Sequence, residues 1–185
     1  MEGTTGRCST QEPSPIRTER LVLRRITEDD IAWLYDLDTD AEVIRHTEAA
    51  FQGVASMGRE EYRDREFPRY VRAYGNCGHL GFWAVSEAES GEPVGWIHAL
   101  PVEGKPGRMS LGYRLLRSRW GRGYATEGAR ELVGRLEEVC DVTSVEASAL
   151  TANAPSVGIM RKLGLVEHSR FIHHSGGEAV LYVSG

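Results

Sequence analysis

The residue types best placed for chemistry sit around Gly121-Arg-Gly123, where a strand-like run from Arg108 to Leu116 gives way to a helical pattern. Glycines let successive peptide N–H groups turn to one side, and a helix start adds unpaired amides and positive dipole. Such a turn suits an anion, phosphate above all; the same glycines also serve a tight strand-to-helix loop, and spacing leaves both readings open. It is no Walker loop, because GxxxxGK[ST] is absent. It is no dinucleotide fingerprint either, since GxGxxG would need glycine where Thr126 stands. Histidine as a residue type titrates near neutrality, which makes His98 a candidate base, though its alternation with Trp96 and Leu100 also suits packing. His173-His174 lacks companions at metal-ligand spacing. Cys8, Cys77 and Cys140 form no CxxC pair, which argues against a zinc site or disulfide framework and for a reducing, cytoplasmic setting.

These groups need elements to hold them. Residues 1–16 are polar, rich in Gly, Ser, Thr and Pro, and read as a disordered tail before a folded unit at 17–185. Leu21 to Ile26 suggests a strand. Thr27-Glu-Asp-Asp30 matches a capping box, followed by Ile31, Leu34 and Leu37 at helical spacing. Gly58 to Tyr74 suggests a second helix broken near Pro68. Leu80–Ser86, Val94–Leu100 and Arg108–Leu116 form a three-strand meander. Ala125, Ala129, Leu132, Val133, Leu136 and Val139 trace one helical stripe. A strand over Thr143–Leu150, a helix over Asn153–Leu163 and a closing hairpin complete one mixed α/β domain.

Composition narrows the function classes. With 185 residues, 41% hydrophobic and 26% charged, the chain can bury a core, which excludes wholesale disorder. Its formal charge of −5 argues against a basic nucleic-acid surface. No run of about 18 apolar residues supplies a membrane helix.

Trp120-Gly-Arg-Gly-Tyr-Ala-Thr-Glu127 resembles the acetyl-CoA pyrophosphate loop of the GNAT N-acetyltransferases, in the form found in the ribosomal-protein N-terminal acetyltransferase branch. Leu111-Gly-Tyr113 resembles the strand entry of that branch, and Thr18-Glu-Arg-Leu-Val-Leu-Arg-Arg25 its first strand. Asn153-Ala-Pro-Ser156 with Met160-Arg-Lys-Leu-Gly-Leu165 resembles its N-x-x-S…E-K-L-G-F segment. The four pieces follow family order from about Arg17 to Val183.

The resemblance implies an α+β fold whose mostly antiparallel sheet splays at the acetyl-CoA site, flanked by helices. It implies that the backbone of Leu115, Leu116 and Arg117 pairs with the pantetheine arm. The amides of Gly121, Arg122, Gly123, Tyr124, Ala125 and Thr126 would hold the pyrophosphate. Asn153 and Ser156 fall near pantetheine and sulfur, although Asn153 also suits an N-cap, and Arg161 or Lys162 could approach the adenosine phosphate. The implied reaction is attack of a neutral primary amine on the thioester through a tetrahedral oxyanion, met by a backbone amide at Leu115 or Leu116. Met160 stands where many relatives carry a tyrosine acid, which leaves Ser156 as the substitute. Ser110 stands where the branch often has an acid, which leaves His98, Glu103, or an acid between Glu42 and Glu66 acting through water. Acceptor recognition should fall to Thr39–Tyr74, whose acids (Glu48, Glu60, Glu61, Asp64, Glu66) interleave with arginines that favour i,i+4 pairing. A peptide N-terminus, a polyamine and an amine antibiotic are the acceptor options. A non-catalytic acyl-CoA sensor is the alternative, motivated by the residues at Met160 and Ser110. An exposed sheet edge and family habit make a homodimer an expectation.

Overall fold

Among the residues that the computed structural model describes (13–46, 53–72 and 78–185), the chain opens with β1 (Ile16–Arg17) and β2 (Leu21–Arg25). The tail expectation for residues 1–12 lies outside the described residues. Ile16 is already structured: it pairs opposite Leu23 and is buried. The Thr27 capping box forms. Buried Asp30 accepts from the Thr27 amide at 2.8 Å, from Trp33 Nε1 at 2.8 Å and from the Arg24 guanidinium. A 3-10 turn at Glu28–Asp30 then leads into α1 (Ile31–Thr39).

The irregular segment that follows holds α2 (Ala41–Ile44), capped by the Asp40 carboxylate on the amides of Glu42 and Val43. Next come α3 (Arg59–Arg65) and α4 (Phe67–Arg72). Pro68 sits in the first turn of α4, where no intrahelical N–H is required of it. The remainder is β3 (Gly81–Glu87), β4 (Pro93–Pro101), β5 (Arg108–Leu115), α5 (Tyr124–Val139), β6 (Ser144–Leu150), α6 (Ala154–Lys162), β7 (Val166–Ile172) and β8 (Glu178–Val183).

The strands form one open sheet in the order β1-β2-β3-β4-β5-β6-β8-β7. Every neighbouring pair is antiparallel except β5 and β6, which run parallel over Arg108↔Ser144, Met109↔Val145 and Ser110↔Glu146. Beyond that point the two strands part. The gap is the main functional consequence of the topology.

Strand alternation divides the core between the two faces. Ile97 and Ala99 of β4 join Leu21, Leu23 and Trp83 under Ala129, Leu132 and Leu136 of α5. Trp96 and its neighbours Phe82 and Ala84 face Leu34, Leu37, Tyr62 and Tyr70 of the early helices. At Gly128 a Cβ would lie 2.6 Å from Ile97 Cδ1, so α5 rests close against the sheet. Leu132 is fully buried, and truncating it to alanine should cost about 2–5 kcal/mol. No helix among the described residues is long and apolar enough to cross a membrane.

Candidate active site

The gap between β5 and β6 opens into a cleft of about 570 Å³. Its floor follows from strand geometry. Leu116 N–H donates to Val94 O at 2.9 Å, so Leu116 faces β4 and the preceding residue turns its main-chain groups towards the gap. On that side the Leu115 carbonyl accepts from Trp120 Nε1 at 2.8 Å. Of the two amides expected to meet an oxyanion, that of Leu116 is therefore spent within the sheet, and that of Leu115 faces the gap.

A 3-10 turn at Arg117–Arg119 carries the chain into the glycine turn. Gly121 (φ 74°) and Gly123 (φ 81°) are both left-handed, a conformation that costs other residues about 1–2 kcal/mol. Nothing lies within 4 Å of where a Gly121 Cβ would be, so the backbone is open to close approach. Helix α5 begins immediately after, at Tyr124. Alternating left-handed glycines at a helix start form an anion cradle, and the residues present fit a pyrophosphate. Glu87, at the end of β3, accepts from the Tyr124 hydroxyl at 2.7 Å and from Arg119 at 2.9 Å, and lies 3.6 Å from Arg122. These contacts, the Tyr124 hydrogen bond foremost, hold its carboxyl below the ordinary range.

Of the expected site residues, Leu115, Gly121, Gly123, Tyr124, Ala125, Thr126, Asn153 and Ser156 line this cleft. Leu116, Arg117, Arg122 and His98 are not among its lining residues. Asn153 is the N-cap of α6, accepting from the Ser156 amide at 3.3 Å, and lines the cleft as well, so both expected roles coexist. Met160 is buried in the core. Lys162 lines the cleft and an adjoining groove of about 600 Å³ that shares Gly123 and Thr126. Arg161 instead turns to the Tyr182 hydroxyl, at 2.9 Å. Glu60, Glu61, Asp64 and Glu66 do not line the cleft; Glu61 pairs with Arg65 and Glu66 with Arg69. Glu48 lies outside the described residues.

His98 is enclosed. Its ring stacks on Trp96 (centroids 5.4 Å apart, 13° between planes), meets Phe82 edge-on and covers Gly112. Burial first, then the Arg114 and Arg69 charges, lower its pKa to about 4. The ring is neutral at pH 7 and weakly basic.

Two groups, Tyr113 and Arg114, went unread in the sequence. The Tyr113 hydroxyl donates to Ser156 O at 3.0 Å across the gap, and burial pushes the phenol up to about 12 against that hydrogen bond. Alternation with Leu111 and Leu115 was the available signal. Glu42, which opens the expected range of acids from Glu42 to Glu66, is the carboxylate that lines the cleft among the described residues, paired with Arg45 at 3.0 Å. Arg114 lines the cleft too, with its guanidinium bound to fully buried Asp38 and 5.3 Å from the Trp96 ring. Asp38 also accepts from the hydroxyls of Tyr62 and Tyr70, at 2.7 and 2.5 Å. A carboxylate seven residues after Ile31, on the apolar face of α1, was the sequence mark of that network.

Known proteins share this design. The chain is 29% identical over 169 residues (85% of it, 67% of the relative) to an FsC-acetyl coenzyme A-N(2)-transacetylase of Aspergillus fumigatus. It is 24% identical over 147 residues, 79% of each chain, to the uncharacterized N-acetyltransferase p20 of Bacillus licheniformis. Its fold matches RimL, a ribosomal L7/L12 alpha-N-protein acetyltransferase solved with coenzyme A, at TM-score 0.78 and 16% identity over 92% of this chain and 97% of that one. The model of the acetyltransferase (GNAT) domain matches residues 20–166, from the first long strand through the cradle to α6. With its sheet parted at the cradle, the chain belongs to the GNAT acetyltransferases and is an acetyl-CoA-dependent N-acetyltransferase.

Proposed function

We propose that the enzyme acetylates a primary amine, the amino terminus of a peptide ahead of polyamines and small amines such as amine antibiotics. The observation that carries this reading is the short β5–β6 pairing, which opens a cleft between the cradle and the early helices. When bound, acetyl-CoA supplies an activated acyl group, so positioning and charge placement account for much of the work left to the protein. The amides from Gly121 to Thr126 hold the pyrophosphate. Leu115 offers the main-chain amide that meets negative charge on the acyl oxygen. With the coenzyme in place, the Tyr113 hydroxyl would turn its one proton from the Ser156 carbonyl to the departing sulfur.

Proton removal from the amine falls to Glu42, because it lines the cleft while His98 is boxed between Trp96, Phe82 and Gly112. Tyr113 and Glu42 together favour catalysis over a non-catalytic acyl-CoA sensor, since they supply the acid and base whose apparent lack at Met160 and Ser110 motivated that alternative. The reading includes a cytoplasmic setting, in keeping with three cysteines that form no CxxC pair. It also includes a homodimer, to be measured by sedimentation.

Thiol release should be followed over a panel of peptides, polyamines and small amines. Tyr113→Phe should lower kcat about tenfold with KM for acetyl-CoA little changed. Glu42→Gln should lower kcat/KM about a hundredfold, and His98→Asn should leave it within about threefold. Coenzyme binding without turnover on any primary amine would overturn the catalytic reading.

A further inference from the structure

The turn between β1 and β2 reaches the cradle through the adjoining groove, which Thr18 and Arg20 line with Gly123 and Thr126. Thr18 Oγ1 and the Arg20 amide both donate to Glu127 Oε1, and Arg20 Nε donates to Glu127 Oε2 at 2.7 Å. The same guanidinium continues past the pair: Nη1 donates to the Arg122 carbonyl at 3.1 Å, and the group lies 4.9 Å from the Tyr124 ring centre. A Cβ at Gly123 would sit 3.6 Å from Arg20 Nη2. One side chain thus touches the residues on either side of Gly123, and Glu127 in the first turn of α5.

The contact with the Arg122 carbonyl has a geometric consequence. In a trans peptide the C=O and the following N–H point in opposite directions. Drawing the Arg122 oxygen outward therefore aims the Gly123 N–H inward. Glu127 in the first helical turn would, alone, oppose an anion bound there. Pairing with Arg20 offsets that charge and turns the carboxylate into an anchor for the guanidinium.

We propose that Arg20, anchored by Glu127 and Thr18, is a positioning residue that preorganises the Gly123 amide for the coenzyme pyrophosphate. This rests on the pyrophosphate reading of the cradle. The pair is partly exposed, with side-chain accessibility of 47% for Arg20 and 19% for Glu127, so its loss should cost the fold little.

The test is calorimetric titration of the whole chain with CoA and with 3′-dephospho-CoA, alongside thermal unfolding. Arg20→Met should weaken both ligands equally, about tenfold, with Tm held within ~2 °C. Arg20→Lys, which cannot serve Glu127 and the Arg122 carbonyl together, should recover only part of that loss. Glu127→Gln should weaken both ligands about threefold by loosening the anchor. Unchanged affinity in Arg20→Met overturns the proposal, and so does weakening confined to CoA, which would mean direct contact with the 3′-phosphate. A lowered Tm with unchanged affinity in the folded protein also overturns it. If the unaltered chain binds neither ligand, the pyrophosphate reading itself fails.

Discussion

The two walls of the cleft are made differently. The coenzyme wall is local in sequence: Leu115 to Thr126 supply the strand end, the glycine turn and the helix start, and flanking side chains brace them from outside. The opposite wall, which Arg114 lines, rests on groups brought together from afar. Asp38 of α1, Tyr62 of α3, Tyr70 of α4 and Arg114 of β5 meet around a single buried carboxylate. Burial pushes both phenols above their ordinary range, so they stay protonated donors at any working pH. A site can thus be half motif and half tertiary network. Only the first half carries a contiguous sequence motif; the second leaves a single mark, the carboxylate of Asp38 on an apolar helix face.

The two walls should fail in different ways. Asp38→Ala strands the Arg114 guanidinium among Trp96 and two tyrosines, so denaturant unfolding should show a loss of about 3–5 kcal/mol. A loss below ~1 kcal/mol would mean that the network is not what holds the early helices to the sheet.

The next largest effect belongs to His98. Its folded pKa of about 4 lies below the ordinary 6.5, so the unfolded chain takes up a proton more readily. Stability should fall as pH drops from about 6.5 towards 4, by up to ~3 kcal/mol. His98→Gln should flatten that slope, and comparison of unfolding curves at pH 7 and pH 5 measures it.

On the coenzyme wall, Gly123→Val forces a β-branched residue into the left-handed region. It should weaken CoA binding about a hundredfold by calorimetry. Affinity within threefold of the unaltered chain would remove the cradle from the pyrophosphate role. The smallest effect is reserved for the exposed face of α3, where Arg65→Ala breaks a solvated i,i+4 pair with Glu61 and should shift stability by under about 0.5 kcal/mol.

Legibility followed the same division. The capping box at Thr27, the α5 stripe from Ala125 to Val139, the break near Pro68 and the N-cap at Asn153 all form as periodicity and capping chemistry expect. The β1 pairing at Ile16 was missed because a two-residue edge strand has no period of its own. Of the span Thr39–Tyr74 expected to meet the acceptor, Glu42 lines the cleft, whereas Glu61 and Glu66 pair with arginines of α3 and α4; Arg114 of β5 lies outside that span and lines the cleft as well.

The order of residues alone determined the elements and the cradle, because caps, alternation and glycine conformations act over a few neighbours. It also carried the family likeness, since the four motifs lie in linear order. Tertiary structure alone decided that β5 and β6 part after three residues, that Tyr113 crosses to Ser156, that Arg20 reaches the Arg122 carbonyl from 102 positions away, and that Asp38 gathers Arg114 with two tyrosines. Each of these joins groups far apart along the chain. Their meeting depends on how sheet and helices pack, and local sequence does not encode that packing.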